Sequence, residues 1–391
     1  MASPSLFDLS LPVVLAGLVL TLGTSAFWAF GIARWASQRR SGGGDVPRVA
    51  VIVAARNEEG TISACLESLL VQDYPAERFE IVVVDDHSTD ATFRVAEGAG
   101  AGQSVPMRVV RATECPHGVG PKKNALAFGI ERSAGEILLF TDADCRVPRR
   151  WIRAMIEHYD ANTGAVAGAV LPVQSAGLGL SLWWLERLLV HYSAAAAIGW
   201  GSPASASGGN LSYRRAVYDQ LGGIARLDVF SGDDDLMVQA IARAGWRVRF
   251  ASGRDSLVTE DRTPNAARHL SAAVRHQSTV PYYPWHWRVA FALSVVSGAL
   301  TLFTVAAAVA HLVSWWFVPA LLGLRSVIEA PAARLFARRL GVQLTMARFV
   351  LGEVLLPFYL CLRPVAAIFP RYSWHGRSHR PLAADTVSRA G

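Results

Sequence analysis

The chain has 391 residues, with 38 Lys+Arg against 31 Asp+Glu for a formal net charge of +7, and is 52% hydrophobic but only 18% charged. A charged fraction below the usual value of about a quarter points to segments that lie in lipid. The basic excess does not require nucleic acid, because Lys and Arg beside membrane spans also produce it. Cys65, Cys115, Cys145 and Cys361 are scattered with no Cys-x-x-Cys pair, which excludes a disulfide frame or a zinc site.

Leu11–Ala33 is uncharged and apolar, and about 20 such residues cross a bilayer. Asp8 precedes it, whereas Arg34, Arg39, Arg40 and Arg48 follow it. Positive charge stays on the cytoplasmic side, so residues 1–40 read as a retained anchor with the N-terminus outside. Ser41–Asp45 is a Gly-rich linker. Residues 46–287 then alternate short apolar strands with helices. The strands are Val49–Ala54, Glu80–Val84, Arg108–Val110 and Ile137–Phe140, and the helices are Thr61–Val71, Asp90–Glu97 and Lys122–Arg132. This order predicts an α/β domain with a mainly parallel sheet covered on both faces, and ligands beyond the carboxyl ends of its strands. Leu178–Trp200 is apolar except for Glu186, Arg187 and His191. It reads as a buried or interfacial helix; if interfacial, Trp183, Trp184 and Trp200 suit the bilayer surface.

Residues 288–370 return to the membrane. Val289–Ala310 is a good span; Leu312–Leu324 continues apolar, with room to extend to Ala333, and is followed by Arg334, Arg338 and Arg339. Together they read as a transmembrane hairpin. Thr345–Phe369 is apolar but holds Arg348, Glu353, Arg363, Pro357 and Pro364. Lone charges at mid-bilayer cost on the order of 3 kcal/mol each, so this stretch reads as a pair of interfacial or re-entrant half-helices, with a further full span as the alternative. Residues 371–391 form a basic cytoplasmic tail.

Four polar motifs interrupt the domain. The first strand ends in Ala54-Ala55-Arg56-Asn57-Glu58-Glu59, which suits a ribose or base edge and equally a helix-capping turn. The second ends in Val84-Asp85-Asp86-His87, where adjacent acids need solvent, a helix to cap or a ligand. The third is Thr141-Asp142-Ala143-Asp144. On an extended chain Asp142 and Asp144 share a side and suit a hard cation such as Mg²⁺ or Mn²⁺; the alternative is an exposed acidic turn. The fourth, Ser231-Gly232-Asp233-Asp234-Asp235, precedes a helical run at Met237–Ala244. Its acids either favour the helix dipole or supply a general base. No Gly-x-x-x-x-Gly-Lys-Ser/Thr loop and no Gly-x-Gly-x-x-Gly follows the first strand, which removes the main support for kinase, ATPase and dehydrogenase readings.

Taken in order, VIVAARNEE, EIVVVDDHSTD, PKKNAL, LLFTDADC, SGGNLSYRR and SGDDDLM resemble glycosyltransferase family 2, over roughly Val46 to Ala244. The resemblance implies a GT-A fold with transmembrane helices at both ends. It implies an inverting, metal-dependent enzyme that moves a sugar from a nucleotide-sugar, UDP-linked by preference, to a lipid or glycan hydroxyl. Residue by residue, it puts Ala55, Glu58, Asp85 and Asp86 by the nucleoside and Lys122 and Lys123 near the nucleotide. Asp142 falls near the donor sugar, and Asp144 with Asp142 at the metal. Gly208, Gly209 and Asn210 border acceptor and donor sugar, as does Asp235. Asp233-Asp234 matches the family's acidic pair, with Asp234 as base. The Gln-x-x-Arg-Trp motif of processive members is broken here: Arg275 matches its Arg, but His276 replaces the Trp, so polymer synthesis is not expected. The expected location is a cell membrane, multi-pass, with the catalytic domain cytoplasmic and the interfacial helix presenting a lipid acceptor. The rival readings are a sugar nucleotidyltransferase, which lacks its Gly-rich loop here, and an inactive nucleotide-binding scaffold, against which the retained acids speak.

Overall fold

The structure is a computed structural model that describes residues 6–38, 46–113, 120–173, 178–224, 232–261, 278–366, 372–374 and 377–379. The linker at 41–45, Cys115, Ser231, Arg275, His276 and most of the tail lie outside the described residues.

Helix α1 (Leu6–Ala36) leads into an α/β unit. Its elements in chain order are β1 (Val49–Ala55), α2 (Ile62–Leu70), β2 (Phe79–Asp85), α3 (Thr92–Gly100), β3 (Met107–Arg111), α4 (Pro121–Glu131), β4 (Ile137–Asp142), β5 (Cys145–Arg146), α5 (Trp151–Ile156), β6 (Thr163–Ala167), β7 (Val170–Pro172), α6 (Leu178–Gly199), β8 (Leu211–Arg214), α7 (Arg215–Gln220), α8 (Asp235–Arg243), β9 (Arg247–Phe250) and β10 (Val258–Glu260). Seven strands form one sheet in the order β3-β2-β1-β4-β8-β6-β9, and β5-β10-β7 form a second. In the large sheet only β8 runs antiparallel to its neighbours.

Strand alternation sorts the apolar side chains to two faces. Val49, Val51 and Val53 meet Ile62, Leu66 and Trp151 on one side. Ala50 and Ile52 meet Ala125, Ile130, Met237 and Ile241 on the other. That second core does not stop at the domain edge, for Ile32, Trp35, Phe336 and Leu340 of the apolar helices belong to it.

Three further helices close the fold: α9 (Trp285–Val309), α10 (Phe317–Leu340) and α11 (Met346–Ala366). Ser10–Ala36 and Trp285–Val309 are long and apolar enough to cross a membrane. They pair antiparallel. The Ser10 hydroxyl donates to the Leu312 carbonyl (3.1 Å), Ser297 to Thr21 (2.9 Å) and the Trp28 indole to Ser294 (3.1 Å). Helix α10 runs back beside α1, with Ser25 donating to Glu329 (2.5 Å) and Arg339 to the Ala36 carbonyl (2.7 Å). From Ser10 to Trp28 the rise is roughly 27 Å at about 1.5 Å per residue, close to a hydrocarbon core of about 30 Å. Aromatic rings mark both ends. Phe27, Trp28, Trp200 and Trp287 cluster at the domain side, and stacked Trp315 and Trp316 stand exposed at the far turn.

The structure departs from one expectation and decides between alternatives in two others. Helix α10 carries the second apolar run past Leu324 through Arg325 and Glu329. Thr345–Phe369 is not two half-helices, because Pro357 and Pro364 lie inside the single helix α11. Arg325 is buried, with Nε 3.2 Å from Glu329 on its own helix and 3.2 Å from Glu353 on α11, so neither carboxylate enters the bundle alone. Of the two readings of α6, the buried one holds. Trp184 is buried, and Ala194–Ile198 are sealed against α1. The crossing is close enough to require glycine, for a Cβ on Gly199 would fall 1.9 Å from the Gly31 carbonyl oxygen.

Removing the cation from this triad should be costly. Arg325→Met is expected to destabilise the protein by about 3–5 kcal/mol, the penalty of unpaired buried charge. Thermal unfolding in detergent checks this, and the added Glu329→Gln and Glu353→Gln exchanges should recover much of the loss. An unchanged midpoint for Arg325→Met alone would contradict the account.

Candidate active site

Parallel register brings the first three motifs to one edge. Ala55 pairs with Asp85 and Ala54 with Asp142, so β2, β1 and β4 end level. The loops after β1 and β2 then lace together. Asn57, with left-handed backbone (φ 52°), accepts from the Thr89 amide (2.9 Å), and Glu59 accepts from the Ala91 amide (2.8 Å). Asp90 accepts from the Glu59 amide (3.2 Å) and from the Thr92 amide (2.9 Å). These polar groups therefore build the rim. Ala55, Glu58, Asp85 and Asp86 are buried beneath it. Glu58 accepts from the Thr61 hydroxyl (2.8 Å), and Arg56 donates to the Asp86 carbonyl (2.6 Å). Asp85 Oδ1 is buried with no hydrogen-bond partner among the described residues. A buried acceptor in that state calls for a donor from a ligand or water.

Asp142 and Asp144 come together by a different route from the one expected. The chain turns at Ala143–Asp144, so that β5 leaves the large sheet and pairs with β10. The turn, not strand alternation, brings ligand atoms of Asp142, Asp144 and Cys145 within 4.8 Å of one another. Burial, then Asp142, pushes Asp144 up to about 7. Burial pushes the Cys145 thiol well above its ordinary value, which leaves it neutral beside the acids, and a soft sulfur suits a hard cation less than the two carboxylates do. What remains is a pair of carboxylates crowded enough to repel, a donor set for a hard divalent cation.

The fourth motif closes on the third. Lys122, in the first turn of α4, places Nζ 2.7 Å from Asp142 and 3.9 Å from Asp233. Lys123 turns inward and is buried. Gly208 and Gly209 form the seam. A Cβ on Gly208 would stand 3.1 Å from Lys122 Nζ, 3.5 Å from Asp233 and 3.6 Å from Asp234, and one on Gly209 would stand 2.9 Å from Asp142. Asp234 caps α8: its Oδ1 accepts from the Asp235 amide (2.8 Å) and its Oδ2 from the Gly208 amide (3.0 Å).

Two residues expected at the sugar face elsewhere. Asn210 is fully buried, donating to the carbonyls of Ala169 (2.9 Å) and Ser256 (2.8 Å) and accepting from the Trp151 indole (3.0 Å). Its amide is spent on the framework. The Asp235 carboxylate turns away to accept from the Ala206 amide (3.0 Å), the Tyr283 hydroxyl and the Thr279 hydroxyl (3.4 Å). Arg275 lies outside the described residues. Glu260 and Arg187 were not anticipated. Glu260 pairs with Cys145 beside the acid pair, and the charges acting on Arg187 include Glu260 and Asp142. Both are remote in sequence and belong to no motif.

Asp235 predicts a pH response. Burial, then Asp234, pushes it up to about 8 from 3.8. A raised folded-state value means its stabilisation is full below about pH 4 and is lost as pH rises through about 8. Asn needs no such proton and still accepts from the Ala206 amide. The melting temperature of Asp235→Asn should therefore fall less than that of the parent between about pH 6 and pH 9. Parallel declines would rule out this assignment.

Known proteins agree with this geometry. Residues 50–222 match the family model described as glycosyl transferase family 2. The chain is 26% identical over 210 residues to the probable glycosyltransferase YdaM of Bacillus subtilis, covering 53% of this chain and 49% of that one. It is 33% identical over 117 residues to the beta-monoglucosyldiacylglycerol synthase of Synechocystis, covering 30% of this chain and 24% of that one. The chain thus spans about half or less of the length of these relatives. Among solved structures, the mannosyltransferase PcManGT from Pyrobaculum calidifontis, in complex with GDP-Man and Mn²⁺, superposes with a TM-score of 0.58 at 21% identity, over 92% of this chain and 98% of that one. Motif order, strand topology, family match and structural likeness converge: the chain carries a family 2 glycosyltransferase domain of the GT-A fold.

Proposed function

We propose that the protein is a membrane-bound inverting glycosyltransferase that moves a sugar from a nucleotide-sugar, UDP-linked by preference, to a lipid or glycan hydroxyl at the cytoplasmic face. The observation that carries this reading is the meeting of Asp142 with Asp233 and Asp234 around Lys122 and Gly208, from segments far apart in the chain.

In this reading Ala55, Glu58, Asp85 and Asp86 receive the nucleoside, and the orphaned Asp85 oxygen accepts a hydrogen bond from it. Lys122 offsets phosphate charge. Asp142 and Asp144 would hold Mg²⁺ or Mn²⁺, a choice supported by the Mn²⁺ bound in the Pyrobaculum structure. When bound, the ion neutralises charge developing on the departing diphosphate. Asp234, its orientation fixed by two backbone amides, accepts the proton of the acceptor hydroxyl. The acceptor oxygen bonds to the anomeric carbon as the carbon–oxygen bond to diphosphate breaks opposite it, and the electron pair leaves with the nucleotide. A single displacement through an oxocarbenium-like state inverts the configuration. The membrane arrangement, with the N-terminus outside and the domain inside, is supported by Arg34 and Arg339 standing at the domain end of the bundle.

Two exchanges test the assignment. Asn is a good helix cap but a poor base. Asp234→Asn should cut turnover by about 10²- to 10⁴-fold. Its nucleotide affinity should stay within about twofold, with released nucleotide measured on whichever UDP-, GDP- or dTDP-sugar the parent uses. Normal turnover in this variant would refute the base assignment. For the cation, calorimetry with and without Mn²⁺ is the check: Asp144→Ala should lose the tightening of nucleotide binding that Mn²⁺ gives the parent. Retained tightening would move the cation elsewhere.

A further inference from the structure

A second cavity, of about 340 Å³, lies between α6, α10 and α11, away from the acids. Its size falls within the range of small-molecule sites. Its walls are mostly hydrocarbon, with Leu182 and Leu185 from α6, Phe336 from α10, and Phe349 and Leu356 from α11, but they also carry Glu186, Glu329, Arg348 and Glu353. Phe358 and Leu362, which also line it, are 50% and 66% exposed, so it opens sideways on the face the apolar helices present to lipid. Its depth follows from neighbouring contacts. Glu329 and Phe336, both in the lining, sit beside Ser25 and Trp35 of α1. The cavity therefore straddles the level of Trp28, where the bundle meets the catalytic domain.

The lining also holds polar atoms with nothing to bond. Glu186 accepts from the Tyr359 hydroxyl through Oε1 (2.7 Å), yet its Oε2 is buried with no hydrogen-bond partner among the described residues. The Tyr192 hydroxyl is buried in the same condition. Inside a hydrocarbon wall each costs free energy until a ligand or water satisfies it. An acyl tail alone cannot do so, whereas a hydroxylated head group can. Helix α6 also joins this cavity to the reaction centre. Arg187, next after Glu186, lies in the field of Glu260 and Asp142, and His191 binds the backbone of Val170 in β7.

Resting on the glycosyltransferase reading, we propose that this cavity seats the hydrocarbon chain of a hydroxyl-bearing membrane lipid, the sugar acceptor, with Glu186 and Tyr192 bonding polar atoms of its head other than the hydroxyl that reacts at Asp234. This commits the acceptor to lipid rather than glycan.

Gly352 of α11 lines the cavity, and a Cβ there meets only Leu185 at 3.9 Å, so a large side chain would occupy the space without displacing backbone. The test uses the full chain in phosphatidylcholine nanodiscs with a diazirine-bearing dioleoylglycerol. Label should map to α6 and α11, and excess dioleoylglycerol or geranylgeraniol should compete with it while added phosphatidylcholine does not. Gly352→Trp should lower labelling at least tenfold, with UDP affinity within twofold by calorimetry. Tyr192→Phe, which removes one oxygen, should raise the lipid KM about tenfold and leave the donor KM unchanged. Equal competition by phosphatidylcholine would mean that bulk lipid fills the cavity. That result, or labelling indifferent to Gly352→Trp together with an unchanged lipid KM in Tyr192→Phe, overturns the proposal. Absence of any UDP-, GDP- or dTDP-sugar binding by the parent would instead sink the glycosyltransferase reading beneath it.

Discussion

Like charges are forced together here, and the backbone does the forcing. Asp142 and Asp144 flank one turn and Asp233 and Asp234 belong to another, yet strand register, the turn after β4 and the cap of α8 bring them to one crevice. Burial first, and repulsion of this kind second, raise the cost of ionising Asp144. Backbone amides of Gly208 and Asp235 and the ammonium of Lys122 offset part of it. In the proposed reading a divalent cation would relieve the rest, and a diphosphate would then meet positive charge. A joint demand for cation and nucleotide would follow from that crowding. Of the two glycines at the seam, Gly209 leaves the tighter fit, since a Cβ there would press on the Asp142 carboxylate at 2.9 Å.

The strands and their order were legible because each is a short β-branched run bounded by polar residues, and the acids at their ends were legible because acids there are costly without purpose. The site's inner logic was not. Asn57, Glu59 and Asp90 look like ligand residues in sequence, but they tie two loops to each other across some thirty positions. Asn210 sits in a Gly-Gly-Asn motif, yet its amide is consumed by Trp151, Ala169 and Ser256, three partners that no spacing rule connects. Of three consecutive aspartates, sequence cannot say which turns inward. Helix geometry sends Asp235 to Tyr283, a residue just before the second apolar span.

The same difficulty arose in the apolar helices for the opposite reason. A charge in a hydrophobic run was read as evidence against burial, which holds for a lone charge. Arg325, Glu329 and Glu353 are not alone, and their partners lie on a different helix or one turn away. Composition registers the charges one by one, but only packing reveals that they cancel. Arg325 offers a planar fork that can face two carboxylates at once, which a lysine in its place could not do.

Membrane helices and catalytic domain are therefore not a reaction centre on a tether. Trp35 donates to the Phe250 carbonyl at the end of β9 (2.9 Å), and its ring packs edge-on against Phe336 of α10. Ile32 and Leu340 share one core with the central strands. Such an interface leaves little freedom for the sheet to tilt against the bundle. The depth of the crevice relative to lipid is then set by packing and not by a flexible linker. Helix α6 forms a wall of the lateral cavity and, through His191, holds the backbone of Val170 in β7. In the proposed reading, a donor from water and an acceptor from lipid would meet at a height that this packing fixes, which is where orientation contributes most to rate.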